Sequence, residues 1–164
     1  MPTLPHMHFM RAVAVVALAI AIVGSRHTVA QVVESAAAAD SDLELLERGD
    51  SGAYRTFVVK VTARGGDFVL ATSKDGVTGE LQIDASEGRA LWREVIDNSL
   101  ETLGDATVDG AVPDQSHFTV KYRVGQATGG FSAYGVDSLR DERYRKIVVA
   151  ILDLAEKHVP APVR

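Results

Sequence analysis

Between Ala53 and Arg64 the chain alternates: Phe57, Val59, Val61 and Ala63 fall on one side of an extended backbone, and Thr56, Lys60, Thr62 and Arg64 on the other. A helix with this pattern would spread its apolar groups around the whole circumference. A strand, with successive side chains on opposite faces, collects them on one face. The segment is therefore a half-buried strand, and other elements must cover its apolar side. Gly65-Gly66 follows, and glycine accepts the positive φ of a tight hairpin turn, so Asp67 to Ser73 returns as a second strand. Asp75-Gly76 marks the next reversal, and Gly79 to Ile83 forms a third, shorter strand. Upstream, Leu43 to Glu47 is a short apolar stretch ahead of the turn signal Gly49-Asp50-Ser51-Gly52.

The period then changes. Asp84, with Glu87 three residues later, has the form of a capping box. Along Arg89 to Leu103 the positions Trp92, Val95, Ile96, Ser99, Leu100 and Leu103 recur at helical steps, with Gly104 expected as a left-handed C-cap. Asp105 to Gln115, with Gly110 and Pro113, is a loop. Phe118, Val120, Tyr122 and Val124 alternate with Thr119, Lys121 and Arg123 before Gly125 to Gly130 turns the chain into Phe131 to Val136. A closing helix runs from Leu139 to His158, with a stripe of Tyr144, Ile147, Val148, Ile151, Leu152 and Ala155 ahead of Pro160. Short turns make the strands antiparallel, and two one-sided helices need the same apolar face. The expected fold is α+β: a four- to five-stranded antiparallel sheet with two amphipathic helices on one face, built from a β-hairpin–helix unit used twice. At a spacing near 50 residues Phe68 falls on Phe118 and Thr78-Gly79 on Thr128-Gly129. Any two amphipathic helices behind two hairpins would align comparably, so a true duplication stays open.

The N-terminus obeys different rules. His6, His8 and Arg11 precede an apolar run from Ala12 to Val23, and Thr28-Val29-Ala30 offers small residues ahead of Gln31. This is the pattern of a cleavable signal peptide over residues 1–30, cut between Ala30 and Gln31. The run is 12 residues long, short of the roughly 18 that a spanning helix needs, and a lipid anchor would need a cysteine, of which there is none. The expected product is exported, to the periplasm or beyond, and free of the membrane once cut. Residues 31–42 read as a mobile Ala-rich leader, 43–158 as a single α+β domain and 159–164 as a disordered tail.

Removing the leader peptide takes away Arg11 and Arg26 but no acidic residue, so the formal charge moves from −5 to −7. That excludes nucleic acid as the expected partner, because binding it requires a basic surface that displaces counterions. Without cysteine there are neither disulfides nor thiolate metal sites. An apolar core alone must hold the fold.

No constellation for chemistry stands out. A serine triad needs a histidine within reach of a serine and an acid. His117 opens a strand and His158 ends a helix, neither near a Gly-x-Ser-x-Gly elbow. Two histidines 41 residues apart match no zinc spacing. Asp40, Asp42 and Glu44 resemble the start of a calcium loop but lack its glycine and closing glutamate. Arg48-Gly49-Asp50 is a tripeptide that cell-surface adhesion receptors recognise, but the turn at Gly49 to Gly52 accounts for these residues. No catalytic, cofactor-binding or metal residue is assigned, and no cofactor is expected.

Leu46-Glu47-Arg48-Gly49-Asp50-Ser51-Gly52-Ala53 followed by an alternating strand, and Pro113-Asp114-Gln115-Ser116-His117-Phe118-Thr119-Val120, resemble emfourin-type protease inhibitors and related exported domains of unknown function. The resemblance spans about Leu43 to Ala155 and implies a strand-turn-strand opening, a helix, an Asp-Gln step into an aromatic-bearing strand, a hairpin and a closing helix. It also implies inhibition of thermolysin-type metalloproteases by loop contacts. The element order is similar, too, to type III secretion chaperones if Leu43 to Arg48 were helical; those act in the cytoplasm, against the signal peptide here.

Together these point to an exported, non-enzymatic protein-binding module whose protein partner is a secreted protease. The contact turns expected are Gly49, Asp50 and Ser51, and Gln126, Ala127 and Thr128. The alternative is an envelope domain that is an enzyme or binds a small ligand in a pocket lined by Trp92, Tyr122 or Tyr144. The oligomeric state is left open. N-terminal sequencing of the protein recovered outside the cytoplasm should begin at Gln31. Recovery of a chain beginning at Met1 would overturn the processing step.

Overall fold

The computed structural model describes residues 40–49, 56–74, 77–107 and 115–158. The expected signal peptide with its cut at Ala30 and Gln31, most of the Ala-rich leader, the turn residues Asp50 and Ser51, and the C-terminal tail lie outside the described residues. The elements in chain order are β1 (Ser41–Arg48), β2 (Thr56–Arg64), β3 (Asp67–Lys74), β4 (Val77–Ile83), α1 (Ala85–Asp97), β5 (His117–Val124), β6 (Ala127–Tyr134) and α2 (Glu142–His158). Short 3₁₀ turns follow α1 at Leu100–Thr102 and β6 at Val136–Ser138. The strands form one open sheet in the order β4-β3-β2-β1-β5-β6, and every neighbouring pair is antiparallel.

The α+β class is as expected, but the sheet has six strands rather than four to five. The additional strand is the Leu43 to Glu47 stretch, which begins at Ser41, inside the segment assigned to the leader. Its pattern is compromised in sequence because Leu46 falls on the face opposite Leu43 and Leu45, and Glu47 on the same face as they do. Position in the sheet resolves the ambiguity. β1 pairs with β2 on one side and β5 on the other, so Leu43 and Leu45 are completely buried.

Turn lengths differ as well. The predicted turn from Gly125 to Gly130 contracts to Gly125-Gln126, and Ala127 and Thr128 already belong to β6. Gly129 and Gly130 serve close packing inside the strand. Tyr122 pairs with Gly129 across the hairpin, and a Cβ on Gly129 would lie 2.7 Å from the Tyr122 ring. A Cβ on Gly130 (φ +150°) would meet the Val120 carbonyl oxygen at 2.0 Å. The loop after α1 is not wholly irregular either. Ala106 forms a parallel bridge to Ala133, and the Asp105 carboxylate accepts the Ser132 N–H at 2.7 Å, so part of the β6 edge is covered.

Asp84 caps α1 by accepting the Ser86 N–H at 2.6 Å. The helix stops at Asp97 rather than near Gly104. Asn98 donates from its amide group to the Glu94 carbonyl at 2.8 Å and to the Glu94 carboxylate at 2.9 Å, and Ser99, not glycine, takes the left-handed conformation (φ 53°). That break lets Leu100 and Leu103 reach the core from the following 3₁₀ turn, where both are buried. α2 starts at Glu142, later than Leu139, after Asp141 accepts the Arg143 N–H at 3.1 Å. Leu154 is buried in α2, while Leu152 is only partly so.

Both helices lie on the sheet face that carries Leu43, Leu45, Val59, Val61, Phe68, Leu70, Val120 and Phe131. α1 contributes Leu91, Trp92 and Val95, and α2 contributes Tyr144, Ile147, Val148 and Ile151. Each fully buried aliphatic side chain is worth roughly 1.5–3 kcal/mol, which is how a cysteine-free chain holds together. Tyr144 meets Phe131 edge-on at 4.9 Å and donates its hydroxyl to the Gly104 carbonyl at 2.8 Å.

The helix-to-sheet approach is closest where Gly88 of α1 rests on Phe68: a Cβ there would fall 2.3 Å from ring carbons. Gly88→Ala should therefore destabilise the domain by about 2 kcal/mol through overpacking, and by clearly less in a Phe68→Leu background. Urea midpoints of the single and double variants measure this. Equal losses in both backgrounds would mean that Phe68 is not what limits the approach.

Candidate functional site

The register defines two sheet ends. Ser41 stands opposite Ala63 and Val124, whereas Arg48 stands opposite Thr56 and His117. The turns Gly65-Gly66 and Gly125-Gln126 consequently flank Asp40 at one end, their inner strands β2 and β5 lying two strand spacings or about 10 Å apart. The Gly125 N–H donates to the Asp40 carbonyl at 3.2 Å, tying the β5–β6 turn to the start of β1. Gly125, Gln126, Ala127 and Thr128 are all exposed. Gly49 leaves β1 at the opposite end, about eight residues or 26 Å away along the strand. Of the first expected contact turn only Gly49 is described, and it lies at the sheet end opposite Gln126, a turn residue, and Ala127 and Thr128, which open β6 beside it.

Behind this end, on the sheet face away from the helices, Asp42 gathers charge. Its carboxylate accepts from Thr62 Oγ1 at 2.9 Å, from Arg64 Nη2 at 3.3 Å and from Arg123 Nε at 2.9 Å, with Lys60 Nζ at 3.9 Å. Arg64 also donates to the Ala63 carbonyl at 2.7 Å and approaches Asp40 at 3.9 Å. Burial by itself would raise the Asp42 pKa, but the hydrogen bonds from Arg123 and Thr62 and the charges of Lys60 and Arg123 bring it below the usual carboxylate range. The alternation of Asp40, Asp42 and Glu44 is thus strand periodicity, with Asp42 committed to cations of the protein. Nothing in the sequence around residue 42 announces this role, because its partners lie 20 and 81 residues away.

The remaining candidates separate. His158 Nε2 lies 2.9 Å from the Glu87 carboxylate, which also takes Lys157. Glu87 therefore clips the end of α2 to the first turn of α1 instead of closing a capping box. His117 begins β5 at the opposite sheet end, paired with Tyr134, so the two histidines do not meet. Among the described residues no group of three or more His, Asp or Glu side chains is arranged to hold a metal ion. Trp92 is 2% exposed and Tyr144 9% exposed, and both are core side chains. Tyr122 covers Gly129, and burial, with Glu101 nearby, raises its hydroxyl pKa. A shallow groove of about 500 Å³ runs between the helices along Leu91, Val149, Ala150 and Leu154. A second, of about 350 Å³, lies beside Val136, Leu139 and Arg140.

No protein-family model, curated protein sequence or solved structure gives a significant match to the chain.

Among the described residues four carboxylates share a depressed pKa. Besides Asp42 these are Asp84 (bonded by Ser86), Glu87 (held by Lys157, then His158) and Asp141 (held by Arg143). A depressed native pKa contributes stability above the unfolded value that is lost as pH falls. Thermal midpoints should hold from neutral pH down to about pH 4–5 and fall steeply below it. Asp42→Asn, which cannot satisfy the cations, should cost about 2 kcal/mol at neutral pH and flatten the acid limb of the curve. An unaltered acid limb would show that Asp42 is not part of the linkage.

Proposed function

We propose that the domain is an exported, non-enzymatic protein-binding module that engages its partner through the turns at the Asp40 end of the sheet, and that the partner is a secreted metalloprotease. The observation that carries this is the Gly125-Gln126 turn with the first two residues of β6, Ala127 and Thr128, all exposed yet fastened by β5–β6 pairing and by the Gly125–Asp40 hydrogen bond. A protruding turn already held in one conformation loses little freedom on binding, which favours affinity. Gly65-Gly66 stands on the other side of Asp40 and supplies a second protrusion. A protease cleft accepts an extended or turned backbone, and a rigid sheet end suits that geometry. The signal-peptide pattern supports a partner met after export, and the emfourin-like order of elements supports the choice of protease.

Adding the protein to secreted metalloproteases of its own organism should slow at least one of them. Replacing Gln126 and Thr128 by alanine should weaken the inhibition at least about tenfold with little change in thermal midpoint. If the protein neither slows nor co-purifies with any such protease, the proposal fails.

A further inference from the structure

The sheet face away from the helices is left uncovered by the described residues, and its side chains form a grid that the register fixes. One row reads Val69, Thr62, Asp42, Arg123 from β3 to β5. The next reads Ala71, Lys60, Glu44, Lys121, and the third Ser73, Val58, Leu46, Thr119. From the three rows and their neighbours we infer that this face pairs with the same face of a second copy of the chain, about a two-fold axis lying parallel to the strands between β1 and β2.

Such an axis keeps each row and reverses the strand order, so β2 of one copy lies over β1 of the other. Lys60 then faces Glu44 of the second copy, and Val58 faces Leu46, each contact occurring twice as an isologous interface requires. Thr62 faces Asp42, Arg64 faces Asp40, and Ser73 faces Thr119. Val69 and Ala71 lie under the aliphatic stems of Arg123 and Lys121 of the second copy, which can cover apolar surface while their charged ends reach water. No like charges meet in this arrangement. A two-fold axis across the strands would instead set Glu44 on Leu46, Lys60 on Val58 and Arg123 against His117.

The area also suits a dimer. Six strands of seven to nine residues span about 29 by 26 Å, or roughly 750 Å² per copy, close to the roughly 800 Å² per partner of a standard stable interface. Stacked sheets align within about 30° because each is twisted. The pairing is therefore tightest at the central β1 and β2 rows, where Lys60, Glu44, Val58 and Leu46 lie. Both turns at the Asp40 end stay at the rim, so the dimer is independent of the proposed protease contact.

Sedimentation equilibrium on the chain as purified from cells should give twice the single-chain mass. Leu46→Arg, at a partly exposed position on the face away from the helices, should leave the chain folded and weaken dimerisation at least about a hundredfold. Lys60→Glu and Glu44→Lys should each give a monomer, while an equimolar mixture of the two should form a heterodimer, since each copy then meets an opposite charge in trans. Within one chain Lys60 and Glu44 also neighbour each other across β1 and β2, so recovery on mixing separates contact between copies from restored folding. A wild-type chain that sediments as a monomer at about 100 μM, a dimer unaffected by Leu46→Arg, or folded charge variants that stay monomeric when mixed would overturn the inference.

Discussion

Strand β1 sits between β2 and β5, and the rest of the sheet is joined through it. The meander β2-β3-β4 on one side and the β5–β6 hairpin on the other touch within the sheet only by way of its hydrogen bonds. Its two faces do different work. Leu43 and Leu45 enter the core beneath the helices, fully buried, while Asp42 on the reverse draws in Thr62 and Arg64 from β2 and Arg123 from β5. A carboxylate shared by cations from both flanking strands resists sliding of either one, because a one-residue slip would turn Arg123 or Thr62 to the other face.

The helices depend on the same arrangement. α1, at 13 residues, is marginal alone in water, and both helices take most of their stability from packing an amphipathic face. Gly88 lets α1 descend onto Phe68, and the break at Asn98-Ser99 brings Leu100 and Leu103 into the same layer. At the far end Glu87 joins the last turn of α2 to the first turn of α1. Those ion pairs lie at the surface, with Glu87 and His158 only partly exposed, and are individually weak; their value is in orienting two helices that the core already holds.

All of the described apolar core lies on one side of the sheet. On the other, cations and anions alternate across β1, β2 and β5, so that side differs from a random solvated surface in having an order set by register. The turns lie at the ends of the strands and belong to neither face. A chain of this architecture can therefore make contacts at a sheet end and on its open face without disturbing the layer beneath the helices.

Much of the fold was legible in the residues alone. The alternation around Phe57 to Ala63 and Phe118 to Val124, the Gly65-Gly66 and Gly125 turns, the Asp84 cap and the stripe from Tyr144 to Ala155 follow from local stereochemistry, which a few neighbouring residues dictate. What escaped was set by distant partners. Ser41 to Arg48 is a strand because two other strands flank it, and Gly129 and Gly130 lie within β6 because Tyr122 and the Val120 carbonyl crowd them. α1 ends at Asp97, where Asn98 bonds back to Glu94 and Ser99 turns left-handed, and Leu100 and Leu103 then enter the core. The candidate surfaces divide in the same way: the sequence by itself located the Gly65-Gly66 and Gly125 reversals, since glycine's freedom at positive φ is local. Only the tertiary structure decided that Asp40 lies between two of them, that Gly49 is at the far end, and that Lys60, Glu44, Val58 and Leu46 share one face, because cross-strand register joins positions far apart in the chain.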